Sequence, residues 1–239
     1  MNKHQLVFTF FLFTFSVNLS SQSLSLSPFT ASYDIEIKNI KVAIIERELT
    51  ILPNGGYRFK TEAQSAGIAA LFKKDNTNET SHFEITKQRI KPTSYSYSRI
   101  RKKKTKSIEL DFDDSNKIIS SRINDSEQRI GYEGNVLDKL SAETDMMLTR
   151  LQGQTLNEQQ ISNGKKITRY RFTKLGEETL TISGKDFLSE KWQREKDDSK
   201  DRTVFWLAKE LDYLPVQVHI HEVDEDRVSI KLTQTSKMK

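Results

Sequence analysis

The stretch VQVHIHEVDEDRVSIKL, residues 216–232, carries two histidines two positions apart. Side chains of an extended chain alternate between faces, so Val216, Val218 and Ile220 share one side and Gln217, His219 and His221 the other. Two imidazoles on one face are the beginning of a metal site, but zinc sites take three or four ligands with a supporting shell. Here the same face offers Gln217 and Val223, the acids Asp224, Glu225 and Asp226 fall in the following turn, and His82 is remote in sequence. The pair therefore reads first as the polar face of a strand, with a metal on His219 and His221 as the alternative.

A second candidate is the cationic run RIRKKKTK, which supplies Arg99, Arg101, Lys102, Lys103, Lys104 and Lys106. Such a cluster attracts phosphates, anionic head groups or acidic polymers. It also lies between the strand-like SYSYS and SIELDF, where a solvated hairpin tip belongs and where charge blocks edge pairing. Arg101, Lys102, Lys103 and Lys104 are the residues expected to meet an anionic surface if one is contacted. The carboxylates Glu177, Glu178, Asp197, Asp198, Asp201, Asp111 and Asp113 fall mostly in turns, and glycosidase chemistry would need two of them about 5–10 Å apart in different environments. No phosphate loop, zinc-helix motif or nucleophile elbow is present. No catalytic residues and no cofactor are expected.

These residues must be positioned by a β-rich frame. FTASYDIEIK alternates Phe29, Ala31, Tyr33, Ile35 and Ile37 with polar partners, as a strand with one wet face does. IIERELTIL runs into Pro53-Asn54-Gly55-Gly56, a turn tolerant of positive φ, and YRFKTEA returns with Tyr57, Phe59 and Thr61 on one side. SHFEIT, SYSYS, SIELDF, KIISSRI, ITRYRF, ETLTIS, LSEKWQRE, TVFWLA, PVQVHIHEV and DRVSIKLTQ follow in the same style. The expected fold is mainly β: a curved antiparallel sheet or partly open barrel of about eleven strands, covered by one amphipathic helix. That helix is NVLDKLSAETDMMLTRLQG, with Leu137, Leu140, Thr144, Met147, Leu148 and Leu151 on one face, Asn135 or Ser141 as cap, and Gly153 as its end. A shorter helical turn is expected at AGIAALF, around Ile68, Leu71 and Phe72. Residues 154–165 are polar enough to join two halves of a single domain.

The ends and composition bound the rest. MNKHQLVFTFFLFTFSVNLSSQS reads as a signal peptide, with Lys3 ahead of an apolar run from Leu6 to Val17 that is shorter than a membrane span. Cleavage near Ser23 leaves one β-rich domain over 24–239, and no Cys is placed for lipidation. The complete lack of Cys excludes disulfides and thiol catalysis. A formal charge of +5, falling to +4 without Lys3, is far below that of a dedicated nucleic-acid binder.

PFTASYDI, YRFKTEAQSAGIAALFKKDNTNETSHFEI, IKPTSYSY, LDFD, LDKLS, LGEETLTI and DDSKDRTVFWLAKELDYLPVQV together resemble the bacterial exported-protein family called domain of unknown function 3108. Trp206, Leu207, Leu214 and Pro215 carry the most specific part. Members often place a glycine after the first strand, and IKNIKVAII has none. The resemblance implies a periplasmic β-rich protein and brings no catalytic residues. The expected function is non-enzymatic binding of an apolar or lipid-like ligand in the concave face of the sheet. The alternatives are an interaction protein using a sheet edge or the basic hairpin on an envelope partner, and a hydrolase of an envelope polymer. Partners are expected among lipids or other envelope components, with no nucleic acid and no integral membrane segment after cleavage.

Overall fold

The computed structural model describes residues 25–67, 70, 75–101, 104–197 and 199–238. The expected signal segment, the expected helical turn around Ile68, Leu71 and Phe72, and both Lys102 and Lys103 lie outside the described residues.

An antiparallel meander opens the chain: β1 (Phe29–Ile37), β2 (Ile40–Ile51), β3 (Tyr57–Ser65), β4 (Asp75–Thr86), β5 (Arg89–Arg101), β6 (Lys104–Asp113), β7 (Ile118–Ile123) and β8 (Ser126–Gly131). After β9 (Val136–Leu137), the helix α1 (Lys139–Leu151) and β10 (Glu158–Ser162), a second meander follows: β11 (Ile167–Ile182), β12 (Lys185–Lys196), β13 (Arg202–Ala208), β14 (Leu214–His221) and β15 (Val228–Thr235). β15 pairs with β1, so one sheet runs β8-β7-β6-β5-β4-β3-β2-β1-β15-β14-β13-β12-β11-β10-β9. Only the β9–β10 pair is parallel among the described ladders.

The sheet therefore has fifteen strands, not about eleven. β8 is exposed along nearly its whole length, so it shows no apolar alternation. β9 has two residues, and β10 lies in the polar 154–165 stretch expected to be a connection. In the other direction, ITRYRF and ETLTIS are one strand, β11, bulged between Lys174 and Gly176. The β1–β2 turn uses Lys38 and Asn39, both at positive φ (51° and 61°), which is the backbone a two-residue hairpin turn needs. Asn tolerates that region, and so the turn forms without the family's glycine.

The sheet curls on itself. β8 and β9 are its two ends, yet only residues 132–135 join them, and such a link spans at most about 18 Å. The Gly164 carbonyl, in the β10–β11 turn, accepts from Ser121 Oγ at 2.7 Å on β7 and from the Gln128 side chain on β8. Side chains thus close a seam that no backbone ladder crosses among the described residues.

Inside this open barrel lies α1. Its N-cap is Asp138, not Asn135 or Ser141: the carboxylate accepts from Leu140 N (2.8 Å) and Ser141 N (2.9 Å), while Ser141 Oγ accepts from Asp138 N at 2.9 Å. This capping box satisfies the amides that the first turn leaves free. Val136 and Leu137 are consequently strand rather than first turn. Gly153, at φ +71°, follows the C-cap Gln152 and ends the helix as expected.

The helix is buried on more than one stripe. Leu140, Met147 and Leu148 are joined by Ala142 and Met146, and each large apolar side chain contributes about 1.5–3 kcal/mol by burial. α1 crosses the barrel from β4 to β12. Ser81 Oγ donates to Asp138 at 2.7 Å at one end, and Arg150 pairs with Glu190 at 2.8 and 3.0 Å at the other. Met146 packs in a cluster with Trp192, Phe205 and Leu207.

Candidate functional site

Cross-strand register sets the geometry of the concave face. Phe29, Leu49, Phe59, Ser81, Tyr95 and Leu110 stand directly opposite one another across β1–β6, and all are buried. Two residues further along each strand, the row is Ala31, Arg47, Thr61, Glu79, Tyr97 and Ile108; the last two are only half-buried. The next is Tyr33, Ile45, Ala63, Thr77, Arg99 and Lys106, and the last contains Ile35, Ala43, Ser65, Asp75, Arg101 and Lys104. Exposure rises along this series until Arg101 and Lys104 are solvated. Across the barrel, Phe172, Arg194, Thr203, Ile220 and Val228 form a half-buried row of the same kind. Among the described residues, one end of the barrel is thus filled by α1 and its core, and the other is a mouth with apolar and basic walls.

The floor of the mouth is polar. Glu143 of α1 forms an ion pair with Arg47 of β2, and both are largely buried. Arg47 lies over the Tyr33 ring at 4.7 Å. Glu79 accepts from Tyr95 Oη at 2.7 Å and from Lys139 Nζ at 2.9 Å. Arg194 of β12 stacks over Tyr170 (4.9 Å) and Phe205 (5.1 Å), with no carboxylate at ion-pair distance among the described residues.

The two arginines shift in opposite directions for one reason. Burial works against the charge of each. For Arg47 the adjacent Glu143, then Tyr33 and Glu79, outweigh burial and raise its pKa; for Arg194 the opposing effects of Tyr170 and Glu143 are smaller and its pKa falls. Two guanidiniums thus share the influence of one carboxylate.

The residues singled out by the sequence are distributed differently. Arg101 and Lys104 face one another across β5–β6 on the rim, beside Arg99, whose Nε donates to Asp75 Oδ1 at 2.8 Å. Arg101 and Lys104 are solvated at the β5–β6 hairpin end, and with Arg99 and Lys106 four of the six basic residues lie on the rows that line the mouth. His219 and His221 share the outer face, as expected, with ring centroids 6.2 Å apart. Their surroundings are aromatic and cationic: Trp206 meets His219 edge-on at 4.7 Å. Burial, then Arg227, His221 and neighbouring lysines push His219 down to about 4; burial, Arg202 and Arg227 lower His221. His82 is elsewhere, beside Ser94.

The acids are tied into local pairs. Glu178 accepts from Trp206 Nε1 at 2.8 Å, Asp201 from Lys196 at 2.9 Å, Asp197 pairs with Arg171 at 2.7 Å and Asp113 caps its own turn. Asp198 lies outside the described residues. Sequence reasoning missed Arg47, Arg194, Tyr33 and Glu143 as a group. The available signal was charge at apolar parity: Arg47 falls between Ile45 and Leu49 on the inward side of β2.

A family of unknown function, DUF3108, matches residues 29–233. The chain belongs to the DUF3108 family. No curated protein matches it significantly. Among solved structures, a beta-barrel-like DUF1849 protein from Brucella abortus aligns over 88% of this chain and 98% of its own, with 11% identity and a TM-score of 0.60. That likeness concerns the fold: this DUF3108 chain is mainly β and barrel-like. A candidate lipoprotein from Parabacteroides distasonis covers 88% and 96% at 10% identity, with a TM-score of 0.33. No helix among the described residues of the DUF3108 chain is long and apolar enough to cross a membrane.

Proposed function

We propose that this DUF3108 protein is an exported, non-catalytic binding protein of the periplasm, and that its ligand is apolar or lipid-like and enters the mouth of the barrel. The observation that carries the reading is the gradient of burial along the concave face. Ile35, Ala63, Tyr97, Ile108, Ile220 and Ile230 point inward yet stay half-exposed, while the equivalent positions at the other end are sealed by α1. Ligand sites are concave and combine apolar walls with fixed polar groups, and a half-exposed apolar row above a polar floor supports that reading. The helix restricts the expected site: it occupies the middle of the concave face, so a ligand lies above α1 rather than along the whole sheet. Export is supported by the cationic start and apolar run of residues 1–23.

The test is native mass spectrometry of protein purified gently from the periplasm, with solvent extraction of bound material. It is paired with fluorescence titration of the neutral apolar probe N-phenylnaphthylamine. A stoichiometric adduct, or saturable probe binding lost on replacing Ala63 and Ile220 with Trp, supports the reading. A clean unliganded mass together with no probe enhancement overturns it.

A further inference from the structure

Among the described residues, three buried polar atoms at the floor of the mouth have no hydrogen-bond partner, Thr61 Oγ1, Arg47 Nε and Arg194 Nε, and buried Tyr33 Oη has only the Arg47 guanidinium. Tyr33 is fully buried, and Thr61 and Arg47 nearly so. They belong together: Thr61 stands opposite Arg47 in the β2–β3 ladder, Tyr33 lies beneath the Arg47 guanidinium, and Glu143 acts on both arginines. All four can donate: a guanidinium does nothing else, the Thr61 hydroxyl is free to, and Tyr33 Oη keeps its own proton while accepting from Arg47. The nearby acceptors are committed, Glu143 to Arg47 and Glu79 to Tyr95 and Lys139. A buried donor left unmade is expensive, and several gathered in one region form an arrangement that an added acceptor would satisfy.

Charge agrees with this count. At the rim, Asp75 is taken by Arg99 and Arg101, while Lys104 and Lys106 have no carboxylate at ion-pair distance among the described residues. On the floor, Arg47 is paired with Glu143, Lys139 with Glu79, and Arg194 with none among the described residues. The uncompensated charge lining the path from rim to floor is therefore positive.

We infer that the mouth recognises an acidic group, a carboxylate or phosphate carried on an apolar body and inserted head-first, whose oxygens accept from Tyr33, Thr61, Arg47 and Arg194. The apolar body then lies against the half-exposed wall, with Tyr97 and Ile108 on one side and Ile220 on the other. This inference rests on the mouth being the ligand site proposed above, and adds the chemistry that selects the ligand.

The experiment titrates full-length mature protein with the fluorescent fatty acid 11-(dansylamino)undecanoic acid and, separately, with its methyl ester. The acid should bind at least about tenfold more tightly than the ester, the ratio expected of a hydrogen-bonded charge. Arg194→Met should weaken the acid by about 10–100-fold and leave the ester unchanged, and Tyr33→Phe should weaken the acid by about 2–10-fold. Tyr33→Phe keeps the ring beneath Arg47 and removes only a hydroxyl whose protein contact is the Arg47 guanidinium, so the fold is retained with at most a modest fall in melting temperature, and it keeps the test valid if Arg194→Met fails to fold. Competition by palmitic acid against lysophosphatidic acid separates carboxylate from phosphate, the stronger competitor naming the head group. Equal binding of acid and ester, or a Tyr33→Phe protein indistinguishable from wild type, overturns the inference and leaves the mouth as a non-selective apolar site. If neither probe nor N-phenylnaphthylamine binds, the reading of the mouth fails with it.

Discussion

Asp138 holds the start of α1 to β4, and so fixes the floor of the mouth. Its carboxylate is completely buried and accepts from Leu140 N, Ser141 N and Ser81 Oγ. Burial, only partly offset by these bonds, raises its pKa from 3.8 to about 6. A folded pKa above the unfolded one means that the native state holds the proton more tightly between those values. The contribution to stability is therefore fully present below about pH 4 and lost as pH rises through 6. A shift of about two units at 1.36 kcal/mol each makes it about 3 kcal/mol. Asp138→Asn removes the titration while keeping a side-chain oxygen for the two amides. In urea melts from pH 4 to pH 7, the wild-type stability minus that of Asp138→Asn should fall by about 3 kcal/mol, most steeply between pH 4 and 6. Taking the difference cancels the other carboxylates, such as Asp75 and Glu190, whose pKa values are lowered and whose pH dependence runs the opposite way. A difference that stays flat across that range refutes the argument that Asp138 is buried against the barrel wall.

Other substitutions test the seam, the core and the floor. A Cβ on Gly164 would sit 3.0 Å from both Ile108 Cγ2 and Ser121 Oγ at a φ of +85°, so Gly164→Ala should cost about 1–3 kcal/mol in urea melts and speed amide exchange in β7 and β10. Met146, fully buried against Trp192 and Phe205, should cost about 2–5 kcal/mol as Met146→Ala, read by thermal unfolding. Glu143→Leu should cost about 3–5 kcal/mol by leaving Arg47 without its partner, and adding Arg47→Met should recover part of that loss; a double-mutant cycle by urea melts reads the coupling. Arg101→Gln with Lys104→Gln should slow association of the dansyl fatty acid and flatten its salt dependence in stopped flow, with little change in dissociation.

Strand periodicity made most of this fold legible, and the failures have identifiable causes. Where one strand face is buried, as at Phe29-Ala31-Tyr33 or Val216-Val218-Ile220, alternation marks the element and its inward side. β8 and β10 flank the seam, where one sheet edge ends against side chains rather than against a ladder, and their sequences lack that alternation. β11 looks like two strands in the sequence because its middle, around Lys174 to Thr179, is wet on both faces and bulged at Gly176. The helix stood out through its apolar spacing, but its start did not. Asp138 works as a cap only because Ser81, 57 positions away, and Ser141 complete its bonding.

The floor of the mouth was hidden for a different reason: it combines residues from β1, β2, β3, β12 and α1, none forming a motif with its neighbours. What each shares is misplaced polarity. Arg47 interrupts Ile45 and Leu49, Thr61 continues Tyr57 and Phe59, and Arg194 follows Trp192 on the inward side of β12. One such residue is ordinary, since a buried ion pair can fix register, and Arg47 with Glu143 alone would be read that way. Arg194 changes the argument. A second guanidinium buried in the same region stacks on aromatic rings and feels Glu143 without an ion-pair contact among the described residues, and desolvating it costs several kcal/mol. Structural pairing accounts for equal numbers of buried charges; the excess of donors among the described residues is what the proposed acidic head group would satisfy.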